Sequence, residues 1–126
     1  SVLGFLAIMI IIGTLGTLVY NALSIDRSDV LTVNGKEYNW GLLHEEFFET
    51  ESDGYRGISV IELLIDSGMT YRDGSSVRFR GADGYYRDIP WSDLDGGVIN
   101  VNERKVIFPH LARAFWVGEL VEIKEV

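Results

Sequence analysis

The residues that could do chemistry are few in this chain, and they do not form a catalytic pattern. Asp83 is the strongest polar candidate, because in the run GADG at 81–84 it either completes a turn or contacts a ligand. The only histidines are His44 and His110, whereas a zinc site needs three or four Cys, His or carboxylate ligands. Asp93 and Asp95 precede two glycines but lack the remaining spacing of a calcium loop. We therefore expect no metal site and no catalytic residue.

The absence of cysteine excludes further classes of chemistry. With no Cys at any position, the chain has no disulfide, no thiolate metal ligand and no cysteine nucleophile. The sequence also lacks a nucleophile-elbow motif and a phosphate-binding loop. His44, on a charged helix surface, is interpreted as a solvent-exposed residue, and His110, after Pro109, as a partner for a loop carbonyl.

The elements that would position these residues begin with a hairpin. Residues 30–33, VLTV, predict a strand, and Asn34-Gly35 is a strong signal for a two-residue hairpin turn. Asn39 can cap a helix that runs through Phe48. A second helix is predicted from the capping box SVIE at 59–62 to Gly68, with an apolar face of Ile61, Leu64 and Ile65.

The second half of the chain is predicted to be strands. Residues 76–80, SVRFR, alternate between apolar and charged side chains, the pattern of a half-buried strand. Further short strands are expected at 85–89, 105–108 and 120–123, with one helical turn at 92–94. The sequence thus predicts an α+β domain over residues 30–126, with a small mixed or antiparallel sheet and two short helices.

Residues 1–25 contain no charged side chain, and all 11 basic and 19 acidic residues follow them. The run is apolar on every face and long enough, as a helix, to cross about 30 Å of hydrocarbon. We therefore predict an anchor helix at 1–25 and a linker at 26–29. The net charge of −8 disfavours nucleic acid and anionic lipid as partners of the following domain.

The order of motifs resembles the sulfite-oxidase-type (oxidoreductase molybdopterin-binding) family in reduced form. The matching sequence segments are YRGISVIELL at 55–64 and VRFRGADGY at 77–85. The closing run FPHLARAFWV at 108–117 is similar to small membrane-anchored archaeal relatives of that family.

The resemblance implies the family's α+β fold for this domain. It also implies Arg78, Asp83 and Arg87 as weak candidates for contacts with a pterin cofactor. Catalytic members hold molybdenum through a cysteine thiolate, which this chain lacks, and enclose the pterin in a longer domain with basic residues. We therefore expect no cofactor and no enzymatic activity.

Two sets of residues are candidates for association with other subunits. Gly13, Gly16 and Thr17 place small side chains where two membrane helices can approach closely, although such residues are also common in single membrane helices. Tyr86 and Trp116 are the candidates for an exposed aromatic interface on the domain.

The expected function is that of a single-helix membrane subunit whose acidic domain lies outside the cytoplasm and docks in a larger assembly. Its partners would be other membrane or filament subunits, including copies of the same chain. The alternative is a pilin-like subunit of an extracellular filament, with the apolar helix in the filament core. A pterin or molybdenum redox protein is the least favoured interpretation.

Overall fold

A computed structural model describes residues 29–126 of the chain. The predicted anchor at 1–25, nearly all of the predicted linker and the helix-packing candidates Gly13, Gly16 and Thr17 lie outside the described residues. In the described part, no helix is long and apolar enough to cross a membrane.

A five-stranded mixed sheet forms one half of the domain. Its strands are β1 (Val30–Val33), β2 (Lys36–Asn39), β5 (Ser76–Gly81), β6 (Tyr86–Pro90) and β9 (Leu120–Glu125). They lie in the order β2-β1-β9-β5-β6, and only the β1–β9 pair among them is parallel. The predicted hairpin is confirmed, because Asn34 and Gly35 adopt φ of 50° and 86° between β1 and β2.

A four-stranded antiparallel sheet forms the other half. Its strands are β3 (Glu49–Ser52), β4 (Tyr55–Ser59), β7 (Val98–Asn100) and β8 (Lys105–Ile107), in the order β8-β7-β4-β3. A second two-residue turn, Asp53-Gly54, joins β3 to β4 with φ of 51° and 86°. The domain is therefore dominated by two sheets, where the sequence predicted one small sheet.

The first predicted helix is much shorter than expected. Asn39 does act as a cap, its Oδ1 accepting from Gly41 N at 2.7 Å, but it begins a 3-10 turn at Trp40–Leu42. The following helix α1 spans only Leu43–Glu46, and Phe47 is already extended. The prediction that the helix continues through Phe48 is wrong, because the chain leaves the helix there to form β3 and pair with β4.

The second helix agrees with its predicted boundaries. Helix α2 spans Val60–Asp66, and Ser59 Oγ accepts from Glu62 N at 3.3 Å. Gly68, with φ of 98°, follows the helix and donates to Ile65 O at 3.0 Å. The predicted apolar face is partly wrong, since Ile65 is 62% exposed while Leu63 and Leu64 are fully buried.

One hydrophobic core is shared by both sheets and α2. Phe79 of β5 meets Phe108, just after β8, edge to face with ring centroids 5.3 Å apart. No polar or charged residue of the described chain belongs to the fully buried set. The buried cluster includes Leu31, Val33, Ile58, Leu63, Leu64, Phe79, Ile89, Ile99, Val106, Phe108 and Ile123.

Candidate interaction surface on the β5–β6 hairpin

Asp83 closes the turn between β5 and β6. Its Oδ1 accepts from Tyr85 N at 3.0 Å, and Gly84, at φ of 91°, donates to Gly81 O at 3.0 Å. Of the two roles open to Asp83 in the sequence, the structure thus gives it the turn.

Two parallel hydrogen bonds fix the side chain of Arg78 to the neighbouring strand. Its Nε and Nη2 donate to Oδ1 and Oδ2 of Asp88 at 2.7 and 3.0 Å, on the neighbouring strand. These bonds hold the pKa of Asp88 below its usual value and raise the pKa of Arg78. The guanidinium also lies 4.2 Å from the centre of the Tyr86 ring, so that Arg78 joins a carboxylate and an aromatic surface.

Arg87 ties the hairpin to the segment that follows β8. Its Nε donates to Tyr85 Oη at 2.9 Å and to Ala114 O at 3.1 Å, and Tyr85 Oη also donates to Ala114 O. The guanidinium lies 4.9 Å from the centre of the Phe115 ring. Arg87 is therefore a structural clamp across two segments of the domain.

The three cofactor candidates do not converge on one place. Arg78 stands opposite Asp88 and Phe79 opposite Arg87 in the strand register, so the two arginines project to opposite faces of the sheet. Asp83 lies in the turn at one end of the hairpin. Because each has partners within the domain and the chain has no cysteine, this donor set does not fit a molybdenum–pterin group.

The histidines occupy separate positions. His110 Nε2 lies 2.8 Å from Asp93 O, so the prediction that His110 pairs with a loop carbonyl is confirmed. His44 is exposed on α1, as predicted. Within residues 29–126 no group of three His, Asp or Glu side chains is placed to hold a metal ion.

The two interface candidates differ in exposure. Tyr86 is 49% exposed on the outer side of β6. Trp116 is only partly exposed, because its Nε1 donates to Phe108 O at 2.8 Å and its ring packs edge to face on Tyr55 at 5.2 Å. Arg113 lies 5.0 Å from the centre of the Trp116 ring. Tyr86 thus presents an open ring, whereas Trp116 mainly holds the loop after β8.

A second surface, which was not predicted from the sequence, is a groove beside α2. It is lined by Ile61, Ile65, Tyr71, Trp91 and Asp95 and encloses about 330 Å³. One signal was present in the sequence: five of the seven residues of α2 are apolar, more than one buried stripe of so short a helix needs.

No protein-family model, curated protein or solved structure matches the chain. The resemblance to the sulfite-oxidase-type family therefore stays a prediction that rests only on the sequence segments quoted above.

Proposed function

We propose that this chain is a non-enzymatic membrane subunit, held by one helix over residues 1–25, whose acidic domain docks in a larger protein assembly outside the cytoplasm. The membrane part of the proposal is supported by the 25 residues without charge that precede the folded domain. The docking part is supported by the surface of the β5–β6 hairpin.

The docking proposal rests on the contact between the Tyr86 ring and the Arg78 guanidinium. The exposed Tyr86 ring lies on a guanidinium that Asp88 already fixes through two hydrogen bonds. Tyrosine and arginine are enriched among the residues that dominate binding energies at protein interfaces. Because the pair is ordered before binding, a partner would lose little side-chain entropy on contacting it.

A filament subunit is the second candidate, supported by the same layout of an apolar segment before an acidic domain. In that case the apolar helices would pack in the filament core and the domain would form the outer surface. Electron microscopy of native material separates the two, since only the second candidate yields filaments. A pterin-dependent redox protein ranks third, because the thiolate ligand of the family it resembles is missing.

The proposal is tested by extracting the native membrane protein in mild detergent and measuring its size. We expect a species larger than a single chain in its micelle. Tyr86→Ser should shift the protein toward the smaller species, while Tyr86→Phe, which keeps the ring, should not. Gly13→Leu should weaken assembly separately, by holding helix backbones apart, with the domain still folded.

A protein that stays monomeric under every mild condition, and whose size neither Tyr86→Ser nor Gly13→Leu changes, would contradict both the membrane-complex and the filament candidates.

A further inference from the structure

The apolar groove, defined by Ile61, Ile65, Tyr71, Trp91 and Asp95, gathers side chains that a monomeric domain would be expected to cover. Ile65 and Tyr71 are 62% and 61% exposed, and both line the groove. Adjoining exposed apolar side chains of this size mark interaction sites. A volume of about 330 Å³ suits one or two side chains of a peptide.

The floor and one wall of the groove are rigid. Trp91 is 5% exposed and meets the Tyr71 ring edge to face, with centroids 5.8 Å apart. Helix α2, which carries Ile61 and Ile65, is anchored through the buried Leu63 and Leu64. A preformed groove of this kind binds with a small ordering cost.

The indole of Trp91 has an unmet hydrogen bond. Its Nε1 is buried and has no acceptor among the described residues. An unpaired buried donor loses its hydrogen bond to water without a replacement, and folded proteins keep few such donors. Trp91 lines both the groove and the polar pocket next to it, so its indole N–H signal reports on binding there.

The surroundings of the groove are acidic. The adjoining pocket on one side is lined by Glu51, Glu62 and Asp95, and the pocket on the other side by Asp73. No Lys or Arg lines the groove or either pocket in the part of the chain that the structure describes. Glu62 and Asp95 have no ion-pair partner within residues 29–126.

The negative charge around the apolar groove favours a basic partner over a second copy of this chain. A second copy docked through the same groove would place these carboxylates against each other, which is unfavourable. A basic partner would instead find the carboxylates of Glu62 and Asp95, which no cation within residues 29–126 pairs, beside an apolar site.

We propose that the apolar groove binds a short segment of a partner protein in which an aliphatic side chain is flanked by Lys or Arg. The aliphatic side chain packs between Ile65 and Tyr71, and the basic side chains reach the carboxylates of Glu62 and Asp95. This surface is separate from the β5–β6 hairpin, and the inference holds whether or not residues 1–25 anchor the chain in a membrane.

The test is an NMR titration of the ¹⁵N-labelled full chain in nonionic detergent. The probe is the peptide acetyl-Lys-Leu-Lys-amide, with acetyl-Glu-Leu-Glu-amide and acetyl-Lys-Ser-Lys-amide as matched controls. The readouts are the Trp91 indole N–H signal, assigned by triple-resonance spectra, and the backbone amides of Ile65, Tyr71 and Asp95. We expect saturable shifts with the first peptide and much weaker shifts with the two controls.

Variants at exposed positions keep the test independent of folding. Ile65→Ser should weaken binding by roughly tenfold, because the aliphatic contact is lost. Glu62→Gln combined with Asp95→Asn should weaken it and remove its dependence on salt. Phe48→Ser, which removes another exposed apolar side chain, should bind as the wild type does.

Two results would overturn the inference. One is equal shifts with all three peptides, or none. The other is shifts that Ile65→Ser leaves unchanged, which is the behaviour of a peptide that merely associates with the micelle.

Discussion

Tyr38 Oη donates a 2.6 Å hydrogen bond to Oδ2 of Asp66, and this bond joins β2 to the last residue of α2. Lys36 Nζ donates to the same oxygen at 3.0 Å. Hydrogen bonds from Tyr38 and then Lys36 lower the pKa of Asp66, while burial and the bond to Asp66 raise the pKa of Tyr38 to about 12. The arrangement fixes the end of the helix whose side forms the apolar groove.

The first prediction is that Tyr38→Phe lowers the free energy of unfolding by roughly 1 kcal/mol at pH 7, through loss of one net hydrogen bond. Since the pKa of Asp66 is depressed, its stabilising effect is present above its ordinary value of 3.8 and is lost as pH falls through the lower folded value. The raised pKa of Tyr38 acts in the opposite range, so that stability should also fall as pH rises from 10 toward about 12.

Urea unfolding of the full chain in mild detergent measures these effects. Tryptophan fluorescence reports on the domain, because all three tryptophans follow residue 29. The difference between wild type and Tyr38→Phe should shrink below about pH 3.8. Tyr86→Phe is the control and should match the wild type. Equal stability of Tyr38→Phe at pH 7 would show that the bond contributes nothing.

The second prediction concerns Gly57 on β4. A Cβ atom there would lie 2.3 Å from Ile99 O and 2.6 Å from Ile99 C, both backbone atoms of the neighbouring strand β7. Gly57→Ala should therefore force the strands apart and cost about 1–3 kcal/mol or more. Gly118→Ala is the matched control, because a Cβ at Gly118 meets nothing within 4 Å. A Gly57→Ala domain that unfolds at the same urea concentration as Gly118→Ala would contradict this packing.

The third prediction concerns the charge-free segment. Ile11→Asp places a carboxylate within residues 1–25, where insertion into hydrocarbon costs about 2.5–3.5 kcal/mol. The variant should be lost from alkali-washed membranes, while Ile11→Leu should be retained. Unchanged retention of Ile11→Asp would rule out an anchor helix in this segment.

The fourth prediction is that the full chain purifies without molybdenum or pterin. The chain has no cysteine to supply a thiolate, and Arg78, Asp83 and Arg87 are not placed around a common site. Elemental analysis and fluorescence of the extracted pterin measure both components. Molybdenum bound in a one-to-one ratio would overturn the non-enzymatic proposal.

The parts of the fold that follow from local sequence were predictable. Asn34-Gly35 specifies its turn because both residues tolerate positive φ, and Gly68 ends α2 for the same reason. Strand β3, residues Glu49–Ser52, was missed because it contains only polar side chains and pairs at the sheet edge through its backbone. The Asn39 helix was overpredicted because the pairing of β3 with β4 outweighs the helix propensity of residues 47 and 48.

Some features of the candidate site also follow from local sequence, whereas others depend on the folded chain. The turn at Asp83 is encoded locally, and His110 was correctly expected to meet a carbonyl. The apolar excess of α2 was visible in the sequence, but the groove itself was not, because Ile65, Tyr71 and Trp91 come from three separate segments that only the folded chain brings together. Arg78 and Arg87 project to opposite faces of the sheet because of the strand register, which could not be determined from the sequence segments alone.

The central position of β9 in the five-stranded sheet determines the order in which the strands can pair. Among the described residues β9 comes after every other strand in sequence, yet it lies between β1 and β5, with Thr32 paired to Glu122. The β1–β2 and β5–β6 hairpins can each form from residues close in sequence, but within the sheet only β9 pairs with both of them. Contacts this distant in sequence slow folding, and exposed strand edges invite mispairing in the meantime. The five-stranded sheet is therefore complete only when residues 120–125 have paired on both sides, and a chain without these residues would leave the two hairpins with no strand between them.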